Sequence, residues 1–183
     1  MKIEGGTGNG YLAKVSKENK LEVSSVTASV EHHTNHKHGT AFNMLFSATP
    51  TGAGDCFLYV KNTSEEDMCI EGFTLHLVAS EYIEFKLGDS GTATGGSTVT
   101  PANLNSSSGN IATGTFENGN DITGLSGGTT VDRIYHATSA GSTSYNFEQD
   151  IILPKNGVFT MYCETGTTAI NGVINFNYHS GDI

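Results

Sequence analysis

The chain has 183 residues and a formal net charge of −10, with 15% charged residues and 23 glycines. This length favours one domain. The acidic balance argues against a nucleic-acid partner, and no apolar run approaches the ~20 residues of a membrane span. No window of about a dozen residues has helical periodicity. Short apolar runs separated by Thr, Ser, Asn and Gly predict an all-β sandwich or barrel.

Residues 55–87 predict three consecutive strands that the rest of the chain must cover. Residues 56–60 form a continuous apolar run, which is typical of a strand buried on both faces, and residues 62–67 form a polar turn. In the next strand the apolar positions change parity at Gly72, which indicates a β-bulge. Residues 82–87 alternate, with one apolar face made of Ile83, Phe85 and Leu87.

The second half of the chain predicts five further strands. Together with the extended segments at residues 11–15 and 21–26 and the start of the body at residues 40–46, the total is about ten, which favours a jelly-roll-type β-sandwich. Residues 88–110 and 121–130 are rich in Gly and small polar residues, and we predict that they form long loops that are functional or mobile. The strands predicted in this half are residues 111–117, 131–136, 145–153, 158–163 and 169–178.

The three cysteines, Cys56, Cys69 and Cys163, all lie in strand-like apolar runs and have no metal-binding spacing. Their number is odd, and the first residues do not resemble a secretory signal, so we expect buried reduced thiols rather than disulfides. Synthesis and folding in a reducing cytoplasm are the corresponding expectation.

Residues 1–39 are predicted to form an extended N-terminal arm, and residues 40–183 the β-sandwich body. The arm starts with a Gly-rich stretch, and its first 38 residues have a charge of +1, which leaves −11 for the remainder. Such a segment becomes ordered by lying along its own body or along a neighbouring subunit. Its candidate contact residues for a neighbouring subunit or partner are Tyr11, Leu12, Val15, Leu21, Val23, Val26, His32, His33, His36 and His38.

The histidines of the arm suggest a metal site as one interpretation. His32 and His36 would share a face of a helix, and His36 and His38 a face of a strand, but no third ligand follows at a recognised spacing. A polar joint between arm and body is the favoured interpretation, and a pH-sensitive contact is the third, because imidazole titrates near pH ~6.5. We therefore expect no metal and no other cofactor.

Catalytic patterns are missing from the sequence. It contains neither a Gly-x-Ser-x-Gly elbow nor a His-Glu-x-x-His zinc motif. Glu81 and Glu84 have opposite strand parity, so they do not form a local acid–base pair. Asp121 and Asp132 lack the spaced acidic ligands of a calcium loop. The expectation is a protein without enzymatic activity.

Four motifs resemble those of virion structural proteins of tailed bacteriophages. They are a Leu-x-Val arm segment at residues 21–23, a Glu-His-His-x-Asn-His joint at 31–36, a Phe-Leu-Tyr-Val-Lys-Asn-Thr strand at 57–63 and a Thr-Pro-x-Asn-Leu-Asn loop at 100–105. The resemblance implies a β-sandwich subunit on the capsid surface of a virion, after synthesis in the host cytoplasm. It implies a decoration or cement protein that binds the major capsid protein, forms a homo-oligomer, most simply a trimer, and has no nucleic-acid or membrane partner.

Two functions from other classes stay open. Polar loops and exposed tyrosines such as Tyr82 and Tyr135 would suit a carbohydrate- or receptor-binding module on a tail or fibre. The third alternative is an enzyme, either a glycosidase or a metal-dependent cupin.

Overall fold

The computed structural model describes residues 38–137, 141–166 and 168–179, all within Glu31–Ile183, the second of two units into which the chain divides. The described residues form an all-β structure of thirteen strands without a helix. No helix long and apolar enough to cross a membrane is therefore found among them. The strands are β1 (Ala41–Ala48), β2 (Cys56–Asn62), β3 (Asp67–Leu77), β4 (Glu81–Leu87), β5 (Ser90–Thr94), β6 (Ser97–Thr98), β7 (Ala102–Asn103), β8 (Gly114–Asn118), β9 (Thr123–Ser126), β10 (Thr129–His136), β11 (Ser142–Leu153), β12 (Val158–Cys163) and β13 (Ile170–His179).

Two antiparallel sheets enclose a common apolar core, as in a β-sandwich. The five-stranded sheet has the order β11-β3-β13-β1-β7, and the six-stranded sheet has the order β10-β4-β12-β2-β8-β6. Phenylalanine rings from the two sheets meet: Phe73 of β3 lies 4.9 Å from Phe85 of β4, and Phe116 of β8 lies 5.3 Å from Phe176 of β13. Each fully buried ring stabilises the fold by roughly 2–3 kcal/mol. The predicted all-β fold is thus confirmed.

Strand β2 is buried on both faces, as its continuous apolar run predicted. Leu58 and Val60 belong to the core between the sheets, whereas Cys56 and Tyr59 belong to a second apolar cluster on the outer side of the six-stranded sheet. Met161 of β12 is opposite Leu58, and the next residue, Tyr162, is opposite Cys56, so Phe57 is the extra residue of a β-bulge. The bulge places the consecutive residues Phe57 and Leu58 both in the core. This bulge was not predicted, because an uninterrupted apolar run hides a change of parity.

The bulge predicted at Gly72 in β3 is confirmed. Asn175 of β13 is opposite Gly72, and the next residue, Phe176, is opposite Ile70, so Glu71 is the extra residue of β3 at the bulge. On the other side, β11 also shifts its register beside Gly72. A Cβ atom at Gly72 would lie 2.4 Å from the carbonyl oxygen of Tyr145, which explains why this position has no side chain.

The prediction that residues 88–110 and 121–130 are loops was wrong. The first segment contains β5, β6 and β7, and the second contains β9. Strands β5 and β9 pair as a separate two-stranded sheet, and Ile122 and Leu125 from this region pack in the second apolar cluster. These strands are two to five residues long and consist mainly of Ser, Thr, Gly and Ala, so they give no alternation of apolar and polar residues.

Other predicted strands are confirmed with shifted ends. The one predicted at residues 111–117 begins only at Gly114, and Ile111 is 81% exposed before it. The predicted total of about ten strands is replaced by thirteen in the described part of the chain.

Candidate functional site

Part of the outer face of the five-stranded sheet is a broad surface without a charged side chain, which we call the uncharged face; it ends beside Glu71, whose carboxylate accepts a hydrogen bond from Asn177. Cross-strand pairing places Asn43 opposite Asn175, Leu45 opposite Val173, and Ser144 opposite Thr74. Leu45 lies at the centre of this face and is 65% exposed. The surface consists of Asn43, Leu45, Ser47, Thr74, His76, Ser142, Ser144, Asn146, Asn171, Val173 and Asn175.

Hydrogen bonds between neighbouring strands hold the polar side chains of this face in place. Asn175 donates from Nδ2 to Asn43 Oδ1 at 2.7 Å, and the hydroxyls of Thr74 and Ser144 are 3.0 Å apart. These groups therefore offer an ordered surface that costs little further side-chain entropy to bury. The absence of charged side chains is a feature that this face shares with interface cores, which are depleted of Lys, Glu and Asp.

The outer face of the six-stranded sheet has the opposite character, because it is aromatic and charged. Tyr82 of β4 and Tyr135 of β10 are directly opposite each other, with ring centroids 4.7 Å apart. Their exposed fractions are 41% and 54%. The structure thus brings together the two tyrosines on which the carbohydrate-binding alternative depends.

Charged side chains surround this pair, and we call the whole group the tyrosine surface: Tyr82, Tyr135, Arg133, Glu164, Glu84 and Lys86. The Arg133 guanidinium lies 4.2 Å from the centre of the Tyr82 ring and forms an ion pair with Glu164. Lys86 Nζ is 3.6 Å from Glu84 Oε2. Its four charges form two opposite pairs, so the surface has no net charge although the body is acidic.

Two buried carboxylates act as structural anchors. Glu81, 2% exposed, accepts hydrogen bonds from the backbone N–H groups of Tyr82, Thr165 and Gly166. Asp89 accepts from Gly128 N, Thr160 Oγ1 and Tyr162 Oη, and so ties the start of β5 to the end of the region containing β9 and to β12. Acceptor sites on both carboxylates are filled by the protein itself, which favours a structural role.

The cysteines are buried and free, as predicted. Burial raises the pKa of the Cys56 thiol to about 12 and the pKa values of Cys69 and Cys163 to about 11, since a thiolate is poorly solvated in an apolar interior. The reactive species is the thiolate, so these thiols are poor nucleophiles at neutral pH.

Most predicted residues of the arm lie outside the described residues. These are Tyr11, Leu12, Val15, Leu21, Val23, Val26, His32, His33 and His36. His38 is described, and it is exposed where the chain enters the body. Its backbone oxygen accepts a hydrogen bond from Asn110 Nδ2. In the described ranges, no group of three His, Cys, Asp or Glu side chains is placed to hold a metal ion.

A cleft of about 400 Å³, missed by the sequence analysis, opens beside the point where the described chain begins. Thr40, Phe42 and Tyr178 form part of its lining, together with the exposed Ile111. The Tyr178 hydroxyl donates to Thr113 O, and burial raises the pKa of this phenol. The cleft depends on a segment between β7 and β8 without strand or helix periodicity, so no sequence signal could have located it.

The sequence contained a partial signal for the uncharged face. Asn171, Asn175 and Asn177 share one parity in β13, β1 contributes Asn43, and charged residues are missing from the outward positions of both strands. The phase of β13, however, depends on the bulge beside Gly72, so the members of the face follow only from the pairing register.

Comparison with known proteins does not assign the chain to a family. No protein-family model, no curated protein and no solved structure matches it.

Proposed function

We propose that this protein is a non-enzymatic structural subunit that forms a homo-oligomer through the uncharged face and decorates the capsid of a tailed bacteriophage. The observation that supports assembly is the uncharged face itself, on a body whose residues 39–183 have a net charge of −11. The capsid setting rests on the four motifs that resemble virion structural proteins, and the partner there is the major capsid protein.

Electrostatics favour a second copy of the chain on the uncharged face. Two acidic subunits repel each other where their carboxylates approach, and buried charges have a large desolvation cost. On the uncharged face neither cost arises. Beside Leu45 the surface also has a depression of about 470 Å³, lined by Phe46, Ser47, Asn118 and Asn171. A side chain of the second copy can be inserted there.

The strand order supports the finer inference that the sandwich is a jelly roll. Number β1–β4 as strands one to four and β10–β13 as strands five to eight. The five-stranded sheet then contains the order 6-3-8-1, and the six-stranded sheet contains 5-4-7-2. Two interleaved Greek keys give this arrangement. Strands β5–β9 are then an insertion between the fourth and fifth strands.

Sedimentation velocity of the full chain tests the assembly. We expect an oligomer, most simply a trimer, at about 50 µM, a concentration at which interfaces of standard size are occupied. Leu45→Asp places a carboxylate in the interface and should weaken association at least about tenfold, because an unpaired buried charge costs well over 1.4 kcal/mol. Ile111→Asp is the matched control, since it adds the same charge at an exposed apolar residue outside the uncharged face.

A monomeric wild type at that concentration, or equal effects of the two substitutions, would contradict assembly through this face. The capsid setting has a separate test. Empty shells are assembled from the major capsid protein of the same genome that encodes this chain. They should bind the wild-type protein at saturable sites, which electron cryomicroscopy can locate. Shells that remain undecorated at about 50 µM would refute the decoration role and leave the oligomer result standing.

A further inference from the structure

We propose that the tyrosine surface is a binding site for a neutral oligosaccharide. It lies on the outer face of the six-stranded sheet, so it remains open when the uncharged face of the opposite sheet is occupied. The proposal does not depend on assembly or on a capsid partner.

The aromatic rings supply the flat apolar surface on which a pyranose ring can stack. Tyr135 is 54% exposed, and the described side chains leave one part of its ring uncovered although Tyr82 lies beside it. The Arg133 guanidinium lies over the ring of Tyr82, 4.2 Å from its centre, so Tyr135 is the ring that offers the stacking surface. An aromatic surface that is already ordered loses little entropy when a ligand binds.

The flanking ion pairs supply hydrogen-bonding groups for sugar hydroxyls. Arg133 carries five N–H donors, and its ion pair with Glu164 does not use all of them. Glu84 and Lys86 are only partly exposed, with 27% and 26% of their side chains accessible, which keeps them close to the sheet. Hydroxyl groups both donate and accept, so a sugar can bind to acidic and basic side chains at the same site.

The charge distribution selects a neutral ligand. Arg133 and Lys86 are each paired with a carboxylate, so the surface has no excess positive charge for a sulfated or phosphorylated chain. The acidic body repels polyanions at longer range. A proline-rich peptide would need a groove between parallel aromatic side chains, but the rings of Tyr82 and Tyr135 are tilted by 44° and almost in contact.

The test is binding of the full chain to a panel of immobilised hexasaccharides. The panel contains neutral gluco-, manno- and galacto-configured chains, a sulfated and a sialylated chain, and a proline-rich peptide. We expect at least one neutral chain to bind with a dissociation constant that Tyr135→Ala raises about tenfold, whereas Tyr135→Phe, which keeps the ring, changes it less than about threefold. Ile111→Asp, which adds a charge at an exposed residue outside both the uncharged face and the tyrosine surface, is the control and should leave this binding unchanged.

Several outcomes would overturn the proposal. They are the failure of every neutral chain to bind, equal binding by Tyr135→Ala and the wild type, and preference for a charged chain or for the peptide. A melting temperature of Tyr135→Ala close to that of the wild type excludes misfolding as the reason for lost binding. If Tyr135→Ala does not fold, a large loss of binding by Tyr135→Phe, which keeps the ring, would still contradict stacking on Tyr135.

Discussion

At the scale of single residues, buried polar side chains determine how the chain connects one strand to the next. Asn62, fully buried at the end of β2, donates from Nδ2 to the backbone oxygens of Glu66 and Leu153. Asp55 accepts from the backbone N–H groups of Thr51 and Gly52. Sequence reasoning predicted the polar turn at residues 62–67 but none of these hydrogen bonds. The difference arises because composition predicts a turn and does not predict its hydrogen-bond partners.

Glu81 gives the sharpest test at this scale. Glu81→Gln replaces one acceptor oxygen with an NH₂ group that faces backbone N–H donors, so the free energy of unfolding should fall by about 1–3 kcal/mol. Urea denaturation measures this change. Glu65→Gln is the matched control, because the Glu65 side chain is 83% exposed and pairs with Lys155 at the surface. We expect that substitution to change stability by less than ~0.5 kcal/mol. Similar losses in both variants would show that Glu81 is not an anchor.

The predicted strand began at residue 82, but the parity of Glu81 is that of the inward-facing Ile83 and Phe85. It could not reveal the partners, because Thr165 and Gly166 are 84 and 85 residues away in the sequence. Local periodicity assigns a side chain to a face, whereas contacts between distant segments follow from the topology.

At the scale of elements, the long strands were predictable and the short ones were not. Strands β2, β3 and β4 have apolar residues at regular spacing, and even the bulge of β3 left a signal in the parity change at Gly72. Strands β5 and β9 lack such residues. They form because they pair with each other and because Ile122 and Leu125 cover Cys56 and Tyr59. Tertiary contacts therefore impose strand structure on a sequence without strand propensity.

Asp89 should control whether this two-stranded sheet stays closed over β12. Asp89→Ala removes the acceptor for Gly128 N, Thr160 Oγ1 and Tyr162 Oη. We expect amide hydrogen exchange in β5 and β9 to accelerate at least about tenfold, and the Cys56 thiol to become more reactive toward Ellman's reagent, because local opening exposes both. The body should stay folded, since its core lies between the two main sheets.

Asp150→Ala provides the control for that experiment, since it removes an exposed carboxylate from β11 on the other sheet. Exchange in β5 and β9 and the labelling of Cys56 should match those of the wild type. Slow exchange in Asp89→Ala, or equal acceleration across all strands, would show that Asp89 does not hold this region locally.

At the scale of the whole molecule, the predicted division into arm and body leads to a deletion experiment. All large buried apolar side chains in the described part of the chain lie between Phe42 and Tyr178. His38 and Gly39 are bound by the side chains of Asn110 and Asn103, so the deletion should end at residue 37. We expect the shortened protein to remain folded, with a melting temperature within about 5 °C of the full chain, because one domain with an intact core unfolds cooperatively.

The same deletion should abolish binding to capsid shells if the arm is the anchor. The matched control replaces His32, His33 and His36 by Ala in the full chain, and the polar-joint interpretation predicts weakened rather than lost binding. Unchanged decoration by the shortened protein would exclude the arm as the anchor. Failure of the shortened protein to fold would show that residues 1–37 are part of the sheets.

The pairing of β13 has a consequence for the order of events during synthesis. Strand β13 lies between β1 and β3, so the first and last of the described strands are neighbours in the sheet. While residues 170–179 are still inside the ribosome, β1 and β3 have no partner between them and expose Phe42, Met44 and Phe73. The nascent protein must therefore carry unpaired strands and open apolar surface until β13 has been synthesised, and such pairings between distant segments form slowly. A protein with this topology depends on protection from aggregation in the interval before β13 emerges.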